Sequence, residues 1–122
     1  MLTSFQQDIE SMYRFADGCK SLEPLVTELC EVLKRNGEAL VGVTYSYRLQ
    51  ATDSGYRYAF ALRNGAFTPL TATDATDVTV SGKEANLLAV FQRKLNPMAG
   101  VLTRKIKVEG SMPALAKLAS FL

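Results

Sequence analysis

The spacing of apolar residues changes near residue 40 of this 122-residue chain. Before that point, apolar residues recur at the interval typical of amphipathic helices. After it, Val41, Val43, Tyr45, Tyr47 and Leu49 alternate with polar residues or glycine, which predicts a strand with one buried face. The change of period therefore predicts helices followed by a sheet, which is an α+β arrangement.

Two helices are predicted before residue 40. The first follows a Thr3–Ser4 cap and ends at Gly18, and the second runs from Ser21 to the Asn36-Gly37 pair. Their apolar positions are Phe5, Ile9, Met12 and Ala16 in the first helix and Leu22, Leu25, Val26, Leu29 and Leu33 in the second. We expect both helices to cover one face of the sheet.

Turn signals divide the next segment into strands. A polar loop at 52–55 separates the strand at 41–50 from one at 56–63, and Asn64-Gly65 predicts a tight hairpin because a type I′ turn needs positive φ at both positions. A third strand at 66–70 carries Pro69, which favours a short or edge strand. A fourth short strand is predicted at 77–80.

The last third of the chain predicts a helix, a strand and a final helix. Ser81 and Glu84 have the spacing of a capping box before an apolar stripe. The apolar segment 98–102 is too short to be assigned, 104–110 alternates as a strand, and 112–122 has helical spacing. We predict one domain, residues 1–122, in which 1–38 form a helical cover and 39–122 form the sheet, a helix and a C-terminal lid helix.

Composition excludes several classes of chemistry. The chain has no histidine, so it contains no Ser/His or Cys/His nucleophile system and no His-ligated metal site. Cys19 and Cys30 are expected to be reduced, buried thiols. No paired carboxylates or Gly-rich phosphate loop occur, so we predict no cofactor and no metal. A net charge of +2 argues against a nucleic-acid partner, and the absence of a signal-peptide or membrane-span pattern leads us to expect a cytoplasmic protein.

Charge is distributed unevenly along the chain. Residues 1–38 carry seven acidic and four basic residues, a net charge of −3, whereas residues 83–122 carry seven basic and two acidic residues, a net charge of +5. A solvated surface without a partner and a functional basic face are both compatible with this pattern.

From Asp77 onward the sequence resembles the sterol carrier protein 2 family. That family has an acidic residue before a short strand, a capped helix, a Gly-Lys-x-Asn/Asp-Pro segment, a basic strand ending near Gly, and an Ala-x-Lys-Leu helix. The matching segments are 77–80, 94–97, 105–112 and 116–118, and the Arg63-Asn64-Gly65 turn extends the resemblance over about residues 39–122. Arg93 and Arg104 stand where the family commonly has Gly, and Ala61 replaces an acidic residue of many members.

This resemblance implies a five-stranded, mainly antiparallel twisted sheet whose helices enclose a hydrophobic tunnel. The ligand would be a fatty acid, acyl-CoA, phospholipid or sterol-like lipid, carried without catalysis. Expected wall residues are Phe60, Leu62, Leu88, Phe91, Met98, Leu102, Met112, Leu115, Leu118 and Leu122. Expected contacts to an anionic membrane or head group are Lys94, Arg104, Lys105 and Lys107.

Two other functions stay open. The domain could present a hydrophobic intermediate, such as a quinone precursor, to partner enzymes of lipid metabolism. It could instead be an enzyme that uses Tyr45 or Tyr47 with Asp74, although the sequence positions no obvious base for either tyrosine.

Overall fold

The structure is a computed structural model that describes residues 3–71 and 73–121. Five α-helices and five β-strands follow one another in nearly the predicted order. The helices are α1 (Ser4–Asp17), α2 (Leu22–Arg35), α3 (Glu84–Phe91), α4 (Pro97–Leu102) and α5 (Met112–Ala119). The strands are β1 (Thr44–Ala51), β2 (Arg57–Arg63), β3 (Ala66–Pro69), β4 (Val78–Gly82) and β5 (Ile106–Gly110).

The strands form one sheet in the order β3-β2-β1-β4-β5. Three neighbouring pairs are antiparallel, and β1 with β4 is the parallel pair. The predicted α+β class and the mainly antiparallel five-stranded sheet are therefore confirmed. The hairpin between β2 and β3 also forms as predicted, because Asn64 and Gly65 have φ values of 51° and 87°.

Strand register separates the residues of the sheet into two faces. Tyr47 pairs with Phe60 on β2 and with Val78 on β4, so these three side chains share one face. This face also carries Leu62, Val80 and Val108, and it is covered by helices. The opposite face carries Arg48 and the small residues Ala59 and Ala61. The described loop residues 70–71 and 73–77 lie over part of this second face, where the Arg48 guanidinium donates to the carbonyl oxygens of Thr71 and Asp74 at 3.1 and 2.7 Å.

The N-terminal helices supply much of the core. Helix α1 begins with a capping box between Thr3 and Gln6 and buries Ile9, Met12 and Ala16. Helix α2 buries seven residues, which are Leu22, Leu25, Val26, Leu29, Cys30, Val32 and Leu33. The amphipathic spacing of both helices is visible in the sequence. Helix α2 packs against β3 of the sheet, and α1 packs against α2 and α3.

The predicted capping box at Ser81 and Glu84 is wrong. Helix α3 begins one residue after Lys83, which makes no side-chain cap, and the Glu84 amide instead donates to the Asp53 carboxylate at 2.9 Å. The Glu84 carboxylate accepts from the amide of Leu22 at 3.0 Å and so caps α2. The starts of α2 and α3 are therefore capped by residues distant in sequence, which spacing within one segment cannot reveal.

The unassigned apolar segment 98–102 lies within α4. Asn96 caps this short helix by accepting from the amides of Met98 and Ala99, and Pro97 occupies its first turn. A 3₁₀ turn at Gly37–Leu40 was likewise not predicted. Both elements are short, and short elements carry too few residues to establish a period.

Candidate functional site

A row of aromatic side chains lines the helix-covered face of the sheet. The rings of Tyr47 and Phe60 are 5.4 Å apart, and the rings of Phe60 and Phe67 stack at the same distance. Tyr58 extends the row, with its ring 6.4 Å from that of Phe60. The row forms a continuous apolar floor across β1, β2 and β3.

The Tyr47 hydroxyl fastens the C-terminal helix to this floor. It donates a hydrogen bond of 2.9 Å to the carbonyl oxygen of Ala114, in the first turn of α5, and both residues are buried. Burial raises the pKa of Tyr47 to about 12, with smaller contributions from Tyr45 and Asp77. The phenol therefore stays protonated at neutral pH and acts there as a hydrogen-bond donor.

Helix α5 is otherwise held lightly. Ala114 is its buried residue, whereas Leu115 and Leu118 are half-buried at its inner edge. Phe121, beyond the helix, packs against Phe5 of α1 with ring centroids 5.7 Å apart. The contacts of α5 thus lie along one narrow stripe.

The predicted wall residues lie in three environments. Phe60, Leu62 and Leu88 are buried in the core, and Phe91, Leu115 and Leu118 are half-buried at its margin. Met98, Leu102 and Met112 are exposed by 66%, 77% and 59%, so they lie on the outer surface and not between the sheet and its helices. Leu122 lies outside the described residues.

The predicted basic contacts are all exposed but are not equivalent. Lys107 is on the face of the sheet opposite the aromatic row, and its ammonium group pairs with Glu109 at 3.0 Å. Lys94, Arg104 and Lys105 lie near the two ends of α4, and their side chains make no ion pair or hydrogen bond within the described part of the chain. These three charges are therefore available to an external partner.

Comparison with known families and structures places this fold. The model of the SCP-2 sterol transfer family matches residues 26–122. The chain belongs to that family. A comparison with curated protein sequences found no match.

Solved SCP2 domains have the same fold. The solution structure of palmitated SCP2L2 from Aedes aegypti is 25% identical, has a TM-score of 0.54, and matches 74% of this chain and 86% of that one. The UbiJ-SCP2 ubiquinone synthesis protein is 16% identical, with a TM-score of 0.57 over 82% of this chain and 95% of that one.

A domain of a larger enzyme has the same fold. The sec-alkylsulfatase Pisa1 from Pseudomonas sp. matches 78% of this chain at 22% identity, with a TM-score of 0.64. A double mutant of that enzyme matches 88% of this chain at 20% identity, with a TM-score of 0.71. This SCP2 chain spans only 16% and 17% of those two alkylsulfatase chains.

The two arginines at positions where the SCP2 resemblance implies Gly have the backbone that favours Gly. Their φ values are 58° for Arg93 and 63° for Arg104. Side-chain contacts offset the cost of the positive φ at Arg93. Its guanidinium lies 3.8 Å from the ring centroid of Tyr13 and 3.7 Å from a carboxylate oxygen of Glu10. Arg104 has no such contact in the described part of the chain.

Tyr45 and Tyr47, the two tyrosines weighed for catalysis with Asp74, lie differently relative to that residue. Tyr47 is on the helix-covered face, whereas Asp74 belongs to the loop over the opposite face. Tyr45 and Asp74 both border an open cleft of about 280 Å³. The amide and hydroxyl of Thr71 donate to the Asp74 carboxylate and lower its pKa, which makes Asp74 a weak base.

No site for a metal appears in the described residues, which contain no cluster of three or more potential ligands among Cys, Asp and Glu. Within the same residues, no helix is long and apolar enough to cross a membrane.

Sequence reasoning selects Tyr47 but does not identify its hydrogen-bond partner. The enzyme alternative treats this tyrosine as a candidate for catalysis, and in the structure its hydroxyl holds α5. A polar atom on the buried face of a strand is a signal that a specific partner exists, because an unpaired buried hydroxyl is costly. That signal does not identify a partner 67 residues away.

Proposed function

We propose that this SCP2 domain is a non-catalytic carrier of a long-chain lipid, such as a fatty acid, acyl-CoA, phospholipid or sterol. The ligand would lie between the aromatic floor of the sheet and helices α3 and α5, and α5 would act as the lid. The observation that carries this proposal is the attachment of α5, which joins the core through buried Ala114 and its bond to Tyr47.

The chemistry of the enclosed surface suits such a ligand. The floor is aromatic, and the margin consists of half-buried apolar side chains that can adjust without breaking a packed core. These marginal residues are Val80, Phe91, Val108, Leu115, Leu118 and Phe121. Separating these half-buried side chains would open apolar space and would cost less free energy than moving the fully buried residues of α2.

The Tyr47 hydroxyl would gain a second role when the lid opens. With α5 lifted, its hydroxyl loses the Ala114 carbonyl oxygen as acceptor. A carboxylate, ester or hydroxyl oxygen of a lipid could then accept the same hydrogen bond. The hydroxyl would therefore exchange one buried acceptor for another and orient the polar end of the ligand.

Native mass spectrometry of the purified protein, followed by solvent extraction, tests ligand binding directly. We expect a mixture of bound lipid masses, or saturable uptake of palmitate, palmitoyl-CoA or a sterol after delipidation. A protein that stays at its ligand-free mass after incubation with all three would contradict the proposal.

A fluorescence experiment tests where the ligand lies. The chain contains no tryptophan, so a single introduced Trp reports on one place. We expect Leu115→Trp on the lid to change emission saturably with added palmitate, and Phe15→Trp on the exposed side of α1 to stay unchanged. Equal responses from both variants would argue for nonspecific association.

A second candidate function is the presentation of a hydrophobic intermediate to a partner enzyme. Its support is the fold shared with a ubiquinone synthesis protein and with a domain of an alkylsulfatase. One dominant bound species, together with a stoichiometric enzyme complex in affinity purification, would favour this function over general transport.

A further inference from the structure

Helix α4 presents apolar side chains to solvent. Met98, Val101 and Leu102 are exposed by 66%, 39% and 77%. Positions spaced by three and four residues share one side of a helix, so these three side chains form a single outward surface. Together with Lys94, Arg104 and Lys105 they are called the α4 surface below.

Packing against β5 holds this surface outward. Gly100 is the buried residue of α4, and a Cβ atom there would lie 2.8 Å from Cδ1 of Ile106. The helix therefore sits with its glycine side directly on the strand. Rotation of α4 to bury Met98 or Leu102 would place a larger side chain against β5 in place of Gly100 and would displace Ile106.

Cations lie close to both ends of the helix. Lys94 comes two residues before the Asn96 cap. At the other end the chain wraps back on α4, where the amides of Arg104 and Lys105 donate to the carbonyl oxygens of Val101 and Gly100 at 3.1 and 2.9 Å. The backbone of these two basic residues is thus held at the C-terminal end of α4.

We propose that the α4 surface docks on an anionic lipid bilayer. Apolar side chains flanked by unpaired cations match the boundary between acyl chains and anionic head groups, where each Lys or Arg contributes about 1 kcal/mol. A six-residue helix is about 9 Å long, which is too short to provide the roughly 800 Å² that each partner buries in a stable protein complex. A bilayer requires no such area from a single patch.

Arg104 supports this assignment through its backbone. It occupies a left-handed conformation that disfavours an L-residue, and no contact within the described residues compensates for this. At the similarly strained Arg93, contacts with Tyr13 and Glu10 do compensate. The Arg104 side chain is therefore free to contact an external anion, and that contact would offset the cost of the conformation.

Vesicle co-sedimentation tests the docking surface. We expect the protein to associate with equimolar phosphatidylcholine and phosphatidylserine, to associate weakly with phosphatidylcholine alone, and to lose affinity as salt is raised. Leu102→Glu should lower association about tenfold. The matched control is Val41→Glu, which places the same charge on a side chain that is 66% exposed outside the α4 surface and should change association little.

Arg104→Gly separates docking from folding. The substitution removes one charge and the backbone strain, so we expect several-fold weaker vesicle association without a loss of thermal stability. Salt-independent association, an equal loss with Val41→Glu, or a change of oligomeric state caused by Leu102→Glu without vesicles would overturn the proposal. Wild-type protein that retains lipid in native mass spectrometry but ignores anionic vesicles would overturn docking and leave the carrier function standing.

Discussion

Helices α2 and α5 both cover the sheet, but they are attached to it differently. Helix α2 buries seven of its fourteen residues, whereas α5 buries one of its eight. Hydrophobic stabilisation scales with apolar area removed from water, so α2 is part of the core and α5 is an addition to it. This difference is the reason that α5, and not α2, is the proposed lid.

The two ends also differ in their electrostatics. Arg35 on α2 pairs with Asp8 and Glu28 at 3.6 and 4.0 Å, so the acidic N-terminal cover is linked internally. Around α4, Lys94 and Arg104 are exposed and unpaired in the described residues. Arg35 therefore uses its charge within the fold, whereas Lys94 and Arg104 leave theirs free for the bilayer proposed above.

The largest expected effect comes from truncating a buried side chain of α2. Leu33→Ala should lower the free energy of unfolding by about 2–5 kcal/mol because Leu33 on α2 is fully buried. Leu118→Ala on α5 should lower it by less than about 1 kcal/mol because that side chain is half-buried. Urea unfolding of both variants measures the difference, and equal losses would show that α5 is as firmly packed as α2.

Alkaline pH should destabilise the folded protein through three tyrosines that are buried or half-buried. Burial raises the pKa values of Tyr47, Tyr56 and Tyr58 to about 12, so the unfolded chain, with a pKa near 10, ionises first. Their contribution to the free energy of unfolding is fully present below pH 10 and is lost as the pH rises to about 12. For Tyr47 this loss is on the order of 2 kcal/mol. Urea unfolding across this range checks the decline, and Tyr47→Phe should reduce its slope.

Removing the single hydroxyl of Tyr47 should loosen the lid selectively. Tyr47→Phe deletes the bond to Ala114 and is expected to cost about 1 kcal/mol. Hydrogen exchange followed by mass spectrometry should show faster exchange in α5 and unchanged exchange in α2. Faster exchange throughout both helices would mean that α5 opens only when the whole domain unfolds.

The smallest expected effect distinguishes Arg93 from Arg104, the two arginines with a left-handed backbone conformation. Arg104→Gly should stabilise the fold by about 0.5 kcal/mol, since glycine removes the strain of positive φ but adds freedom to the unfolded chain. Arg93→Gly also removes the contacts with Tyr13 and Glu10, so it should be about 0.5–1 kcal/mol less stable than Arg104→Gly. Thermal unfolding of the pair decides this, and the reverse order would show that Arg104 has a stabilising contact.

Much of the fold could be predicted from local patterns. The period-two segments became β1 and β2, and Asn64-Gly65 formed the tight turn because few dipeptides accept positive φ twice. The start of the first strand was predicted wrongly, because β1 begins at Thr44 and Val41 is 66% exposed. The candidate site was less predictable. Apolar composition at Met98 and Leu102 suggested interior walls, although both side chains are on the surface.

The sequence by itself determined the longer helices and strands, because backbone preference and hydrophobic period act over a few neighbouring residues. It also determined the excess of positive charge near the C-terminus. Only the tertiary structure decided that Glu84 caps α2, that Tyr47 holds α5, and that α4 turns its apolar side outward. These outcomes depend on elements separated by tens of residues, and the packing that brings such elements together is not encoded in any local spacing.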